Sequence, residues 1–367
     1  MRVIAVANHK GGCAKTTTSI HFAAVLAFLQ KKVLLIDLDP QGHSTCGLGI
    51  TPEDSPASLA ELLRQGPHRE PNLSLFLCAV EKNFQMIPTY GSLRELEEEW
   101  TGIPGCEYRL KEMLTYIESK IPELDFVILD SPPNLGMLTL NGLQACDEVI
   151  IPIEPSFFSL HGLAKISETL TRVNARRETP ADIFALMTLF DSKNRFAEEV
   201  REEVRTHFKD RMFRTAVHEN VLLREAAGAG QSVVRYAPHS DAFSDFFHLA
   251  IEYLDKEWER CLASGGLGWP QNSHRGYGPK RVTGGILFQL SIKDARWVEI
   301  AGDFNHWIPE PLVLSHENGL WQKIIPASDG AYRYKFIVDG EWQIDPHQPG
   351  LKPNAFGTFD SYLEIRG

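Results

Sequence analysis

Short apolar runs alternate with amphipathic stretches along the first 262 residues of this 367-residue chain. Val3-Ile4-Ala5-Val6-Ala7, Val33-Leu34-Leu35-Ile36-Asp37-Leu38-Asp39 and Phe126-Val127-Ile128-Leu129-Asp130 have strand length and no inner polar alternation. Val149-Ile150-Ile151-Pro152-Ile153, Ile183-Phe184-Ala185-Leu186-Met187 and Phe213-Arg214-Thr215-Ala216-Val217 continue the series. Such runs are strands covered on both faces. Between them the pattern predicts helices over 20–30, 92–100, 105–120, 162–176, 196–208 and 241–261. This alternation predicts an α/β fold, a mostly parallel, doubly wound sheet over residues 1–262.

The pattern then breaks. Residues 264–281 hold five glycines and two prolines without period, which predicts a flexible linker at 263–281. Residues 282–367 switch to short strands near 285–291, 298–302, 320–325, 332–338 and 362–366, split by Gly, Asn and Asp. That pattern predicts a small all-β, immunoglobulin-like sandwich. It holds four of the seven tryptophans. Trp297 and Trp321 fall in strand alternation and are expected in its core, whereas Trp307 and Trp342 stand beside turn residues and are expected at its surface.

Composition narrows the classes. A formal charge of −11 argues against wholesale coating of nucleic acid and leaves a local basic face open. Six cysteines, at 13, 46, 78, 106, 146 and 261, form no CxxC pair, so neither a disulfide scaffold nor a metal knuckle is expected. The chain opens directly on a strand, and no apolar run approaches the roughly 20 residues of a spanning helix. A cytoplasmic protein without signal peptide or membrane association is expected.

The chemistry sits at the strand ends. Asn8-His9-Lys10-Gly11-Gly12-Cys13-Ala14-Lys15-Thr16-Thr17-Thr18 joins the first strand to a helix. A glycine-rich turn there presents backbone N–H groups to a phosphate chain. Lys15 would reach the terminal phosphates and the Thr16 hydroxyl would hold Mg²⁺. Asp37 and Asp39 end the neighbouring strand, where a carboxylate can orient water or hold Mg²⁺ through water. Asp130, before Ser131-Pro132-Pro133, has the form of a Walker B aspartate.

These segments, with Gln85-Met86-Ile87-Pro88, Gly162-Leu163 and Glu225-Ala226, resemble the ParA/Soj/MinD family of deviant Walker A ATPases over about residues 1–258. The resemblance implies ATP and Mg²⁺ as cofactors and a homodimer in the ATP-bound state, with Lys10 reaching the partner's nucleotide. It implies an ATP-binding loop of Lys10, Gly11, Gly12, Cys13, Ala14, Lys15, Thr16 and Thr17. Lys10, Lys15 and Asp39 would carry catalysis, Asp39 positioning the attacking water, and Thr16, Asp37 and Asp130 would serve the metal. Hydrolysis would be slow and dimer-dependent, and an ATPase-stimulating partner protein is expected. Ala14 stands where the family usually has glycine; negative φ would tolerate the methyl and positive φ would strain it, and tolerance is expected. Partitioning members carry arginines where this chain has Glu219 and Leu222.

Binding of non-specific DNA would use Arg172, Arg176, Arg177, Lys193, Arg195, Arg201, Arg205, Lys209, Arg211, Arg214, Arg224 and Arg235. Arg201 and Arg205 can instead pair with Glu198, Glu199, Glu202 and Glu203 on a solvated helix.

Ala301-Gly302-Asp303-Phe304-Asn305-His306-Trp307, then Tyr332 to Trp342, then Asp345-Pro346, resemble the glycogen-binding domain of the AMP-activated protein kinase β subunit and the isoamylase N-terminal domain, carbohydrate-binding module family 48. The resemblance implies a carbohydrate site in which Trp307 and Trp342 stack on glucose rings and Lys335 donates to hydroxyls. Phe356 takes the place of an aliphatic residue that pierces the glucan ring. Thr358 matches a polar contact, and Asp360 stands where the family has asparagine. Some domains of this family dock protein instead of sugar.

The reading is therefore an ATP-driven dimerisation switch that partitions or positions a cargo, on nucleoid DNA, with a module for α-glucan, glycogen or a cargo protein. The alternative is a regulatory ATPase whose sandwich senses a sugar or docks a protein partner, without DNA-based positioning.

Overall fold

The computed structural model describes the chain except positions 30, 53, 55–56, 91, 157–158, 239, 264–277, 283–284, 293–294, 316–319, 329, 349, 355–357 and 366–367. Two compact units divide between Glu252 and Tyr253. The helix Asp241–Ala263 runs through that division. Most of the expected linker, 264–277, lies outside the described residues, and its last residues, Lys280 and Arg281, enter a strand.

The first unit is built on eight strands: β1 (Arg2–Val6), β2 (Val33–Asp37), β3 (Cys78–Glu81), β4 (Phe84–Ile87), β5 (Phe126–Asp130), β6 (Glu148–Ile153), β7 (Asp182–Phe190) and β8 (Met212–His218). They form one sheet in the order β3-β4-β2-β5-β1-β6-β7-β8. Every pairing is parallel except β3 with β4 at one edge. Around it lie α1 (Lys15–Phe28), α2 (His43–Gly47), α3 (Leu59–Gln65), α4 (Ser92–Trp100), α5 (Arg109–Lys120), α6 (Met137–Ala145), α7 (Ser159–Asn174), α8 (Arg195–Phe208), α9 (Val221–Gly228), α10 (Val233–Tyr236) and α11 (Asp241–Ala263).

The central strands are buried along their whole length, as their unbroken apolar runs require. The six expected strands all form. The β3–β4 hairpin is an addition: its runs are four residues each and turn at Asn83, whose φ of +63° suits a short polar side chain. Helix α1 is almost wholly buried, which explains why it lacks a polar stripe. Its His21 accepts a hydrogen bond from the Val233 backbone N–H at 3.1 Å, and burial pushes that imidazole down to about 3. α1 is thereby pinned beside α10.

Strand order decides where chemistry can occur. β1 lies between β5 and β6, and β2 lies beyond β5, so the carboxyl ends of β1, β2 and β5 open together. In a doubly wound sheet that edge is where ligands bind.

The second unit contains β9 (Lys280–Val282), β10 (Gly285–Leu290), β11 (Val298–Gly302), β12 (Glu310–Pro311), β13 (Val313–Ser315), β14 (Leu320–Ile325), β15 (Gly330–Val338), β16 (Glu341–Gln343), β17 (Leu351–Pro353) and β18 (Phe359–Ile365). One sheet runs β13-β14-β10-β9; the other runs β12-β11-β15-β18-β17, with β16 on β15. All pairings are antiparallel. Trp321 is buried with Ile286, Phe288, Leu290, Tyr334 and Phe336, as its alternation predicts. Trp297 is not in the core: it is 51% exposed, because it precedes β11 and only its backbone is tied, through N–H donation to the Asp339 carboxylate at 2.9 Å.

Candidate functional site

The loop after β1 ends at the N-terminus of α1, and no side chain caps that helix. Its first-turn N–H groups therefore remain available to an anion. Gly11 and Gly12 are exposed, and a Cβ at either would meet nothing within 4 Å, so the loop is open on that side. Cys13 is buried, its carbonyl accepting from the Thr188 hydroxyl at 3.0 Å; burial pushes its thiol up.

Ala14 departs from expectation. Its φ is +63° and ψ +33°, inside the left-handed region where a methyl crowds the following carbonyl. The expected tolerance fails because the tight turn into α1 needs that conformation at this residue. Such a non-glycine residue costs on the order of 1 kcal/mol.

The two lysines are held within their own chain. Lys15, largely buried, donates to the Lys10 carbonyl at 2.9 Å. Lys10 turns its ammonium to the Glu154 carboxylate and to Ser156 Oγ, the latter at 2.8 Å, just after β6. Asn8 supports this corner by donating to the Pro152 carbonyl at 2.7 Å and accepting the Lys10 N–H at 3.2 Å.

Behind the loop the aspartates meet. Asp37 and Asp130 are register partners at the ends of β2 and β5, both fully buried. Asp37 accepts from the Thr45 N–H at 2.9 Å and the Thr45 hydroxyl at 2.8 Å. Asp130 accepts from Ser19 Oγ at 2.9 Å, from Ser44 Oγ and from the Thr16 hydroxyl. Burial, and then the charge of Asp130, push Asp37 up to about 8; burial likewise raises Asp130. Asp39 is buried, accepting the Gln41 N–H at 3.0 Å, with His43 Nδ1 at 3.3 Å. Thr17, partly exposed, lies on the first turn of α1. Thus Lys10 to Thr17, Asp37, Asp39 and Asp130 converge on one edge of the sheet. Ser19, Ser44, Thr45, Glu154 and Ser156 join them unforeseen; hydroxyls in helices α1 and α2 carry no motif of their own.

A divalent cation fits this donor set. After burial, the charge of Asp130 raises Asp37 and that of Asp39 raises Asp130, a repulsion that a cation at Thr16 would relieve. The Ser131 and Thr18 hydroxyls are also buried without a partner among the described residues. Among those residues no three His, Cys, Asp or Glu side chains form a metal cage, so water and phosphate oxygens would complete the coordination.

Several expected DNA-contacting cations are engaged within the chain. Arg172 pairs with Glu168 at 2.6 Å, Arg195 with Glu199 at 3.1 Å, Arg201 with Glu198 at 2.6 Å, and Arg224 with Glu219. Arg177 donates to the Leu143 and Cys146 carbonyls, both at 2.6 Å, a structural role. No described helix is long and apolar enough to cross a membrane.

In the second unit, Trp307 and Trp342 face a cavity of about 700 Å³ lined also by Arg333, Lys335, Asn354, Thr358 and Asp360. The indole centroids lie 6.4 Å apart at 33°. Trp342 is 50% exposed on β16. Lys335 reaches the groove from β15, donating to Thr358 Oγ1 at 2.8 Å, with Asp360 at 3.6 Å. Asp360 also accepts from Asn354 Nδ2 at 2.6 Å. Both contacts fall on its Oδ1. Phe356 lies outside the described residues. Arg333 and Asn354 were missed: nothing in their spacing distinguishes them from surface strand residues.

Comparison with known proteins agrees with both halves. Residues 1–183 match the family described as AAA domain, and residues 289–367 match the glycogen recognition site of AMP-activated protein kinase. The sporulation initiation inhibitor protein Soj of Bacillus subtilis is 34% identical over 252 residues, 68% of this chain and 97% of that protein. The chromosome partitioning protein ParA of Myxococcus xanthus is 34% identical over 259 residues, 70% of this chain and 89% of that protein. Cobyrinic acid a,c-diamide synthase from Mycobacterium smegmatis, solved with a bound ATP analog and magnesium, is 29% identical, with a TM-score of 0.57 over 72% of this chain and 97% of that one. An ATP complex of a McdA variant from Cyanothece shares the fold, with a TM-score of 0.59 at 21% identity over 69% of this chain and 96% of that one. With a third of the aligned residues shared across nearly the whole length of such relatives, this chain belongs to the Soj/ParA family of P-loop ATPases.

Proposed function

We propose that the chain is an ATP-binding and ATP-hydrolysing association switch that positions a cargo. The observation that carries this reading is the convergence of Lys10, Lys15, Thr16, Asp37, Asp39 and Asp130 on one sheet edge, in a chain that also carries the Trp307–Trp342 groove.

The N–H groups of the α1 N-terminus and the Lys15 ammonium bind the phosphate chain. Thr16, backed by Asp37 and Asp130, would hold Mg²⁺, which supplies charge neutralisation when bound. Asp39 orients the attacking water. Lys10 leaves Glu154 and crosses to a second copy, so that two protomers associate with ATP between them and hydrolysis, slow and dependent on that association, separates them. A stimulating partner protein would time it. The location is cytoplasmic, with the associated state on nucleoid DNA through basic residues of the same region, such as Lys193, Arg205, Lys209 and Arg211. The groove takes an α-glucan, glycogen or a glycogen-bound cargo: tryptophan faces stack on sugar rings while Lys335 and Thr358 meet hydroxyls.

A second reading has one observation in its favour. Arg172, Arg195, Arg201 and Arg224 are paired with acids of the chain itself. That favours a regulatory ATPase whose sandwich senses a sugar or docks a protein, without a DNA track. Sedimentation of the full chain with ATP, with and without DNA at low salt and glycogen, separates the two. ATP-dependent dimers that move with both polymers support positioning. Dimers that ignore DNA leave the regulator, and a monomer under every condition overturns the switch.

A further inference from the structure

Trp307 occupies an unfavourable stretch of backbone. His306 and Trp307 have φ of +56° and +60°, two successive left-handed non-glycine residues. Strain of this kind persists only where surrounding contacts over-determine it. Here the contacts converge on Asp303. Its Oδ1 accepts the Trp307 indole N–H at 2.9 Å, and its Oδ2 accepts the Arg333 backbone N–H at 2.8 Å. The Trp307 backbone N–H closes the turn onto the Gly302 carbonyl at 2.9 Å.

We propose that Asp303 is the positioning residue of the groove: its carboxylate couples the Trp307 indole to the backbone of β15 and so fixes that ring relative to Lys335 and Trp342. The inference rests on the sugar-binding reading above for its purpose, though not for its geometry. Arg333 and Lys335 are two apart on β15 and share a face. β16, which carries Trp342, pairs with the far end of the same strand through Ile337. One strand thus holds the cation directly, one ring through a hairpin and the other ring through Asp303. Without the carboxylate an indole on a turn has several rotamers to sample, and a stacking site made of two rings loses its fixed spacing.

The test uses the full chain and two readouts. Two indoles 6.4 Å apart couple their transitions, so circular dichroism without ligand reports their mutual orientation, and calorimetry with maltoheptaose reports binding. Asp303→Ala is expected to lose the indole couplet and to weaken maltoheptaose about tenfold. Asp303→Asn can satisfy only one of the two donors through its single amide oxygen, so it falls between. Arg333→Ala keeps the backbone donor but removes a guanidinium 3.6 Å from the same carboxylate, so it weakens the couplet less than Asp303→Ala. An unchanged couplet in Asp303→Ala, or in Asp303→Asn should the first variant fail to fold, overturns the proposal. If the variants lose the couplet while the wild type binds no maltoheptaose, the positioning role stands and the sugar reading falls.

Discussion

Lys10 and Glu154 form an ion pair within the chain, the ammonium turned back toward the end of β6 with Ser156 as its second acceptor. Both side chains are about a quarter to a third exposed, at 26% and 32%. A lysine that serves a second copy must first leave this carboxylate. Glu154→Gln keeps the shape and removes the charge, so ATP-dependent dimers should form more readily. A partly exposed pair is worth about 1 kcal/mol, roughly a fivefold gain in association. Equilibrium sedimentation against ATP concentration checks this; equal or weaker dimerisation would show that the pair does not compete with association.

Ala14→Gly should stabilise the protein. The residue sits at φ +63°, where glycine carries no methyl to crowd the backbone. A gain of about 1 kcal/mol would raise the thermal midpoint of a domain this size by roughly 2–4 °C. A midpoint that stays or falls would mean that the methyl packs well enough to offset its strain.

Asp39→Ala should abolish turnover and keep association. Asp39 accepts the Gln41 N–H and neighbours His43, so its removal disturbs only the local turn. Phosphate release is expected to fall about a hundredfold or more, as when a positioned proton acceptor is lost. ATP-loaded dimers should then persist. Release at the wild-type rate would remove Asp39 from the chemistry.

Asp345 should make the second unit less stable as pH rises. It is fully buried, accepts from the Tyr334 hydroxyl and from the His347 N–H at 2.8 Å, and burial pushes it up to about 7. Below the unfolded value of about 3.9 both states are protonated and nothing is lost. Between there and about 7 only the unfolded state ionises, so stability declines, by up to about 4 kcal/mol, before levelling at higher pH. Asp345→Asn removes this dependence. The stability of wild type relative to that variant should drop between about pH 4 and pH 7 in denaturant titrations of the full chain. A constant difference would refute the shift.

Strand runs such as Phe126 to Asp130 could be read directly because burial on both faces leaves no polar interruption. The β3–β4 hairpin could not, since four-residue strands at a sheet edge carry too few positions to show a period. The loop and its aspartates stand in short continuous motifs and announced themselves. Glu154 and Ser156, which hold Lys10, lie more than 140 residues away and become neighbours only through the β1–β6 pairing. Trp297 was misassigned because its parity was misread: alternation with the buried Val298 and Ile300 puts it on the outward face with Glu299.

The 33° between Trp307 and Trp342 has a consequence for shape. A flat, ribbon-like sugar chain can lie against one of these rings but must lift off the other. A chain that turns between successive residues can keep both. On the sugar-binding reading proposed above, the pair would gauge curvature, admitting a polymer by how it bends before any hydroxyl has been read.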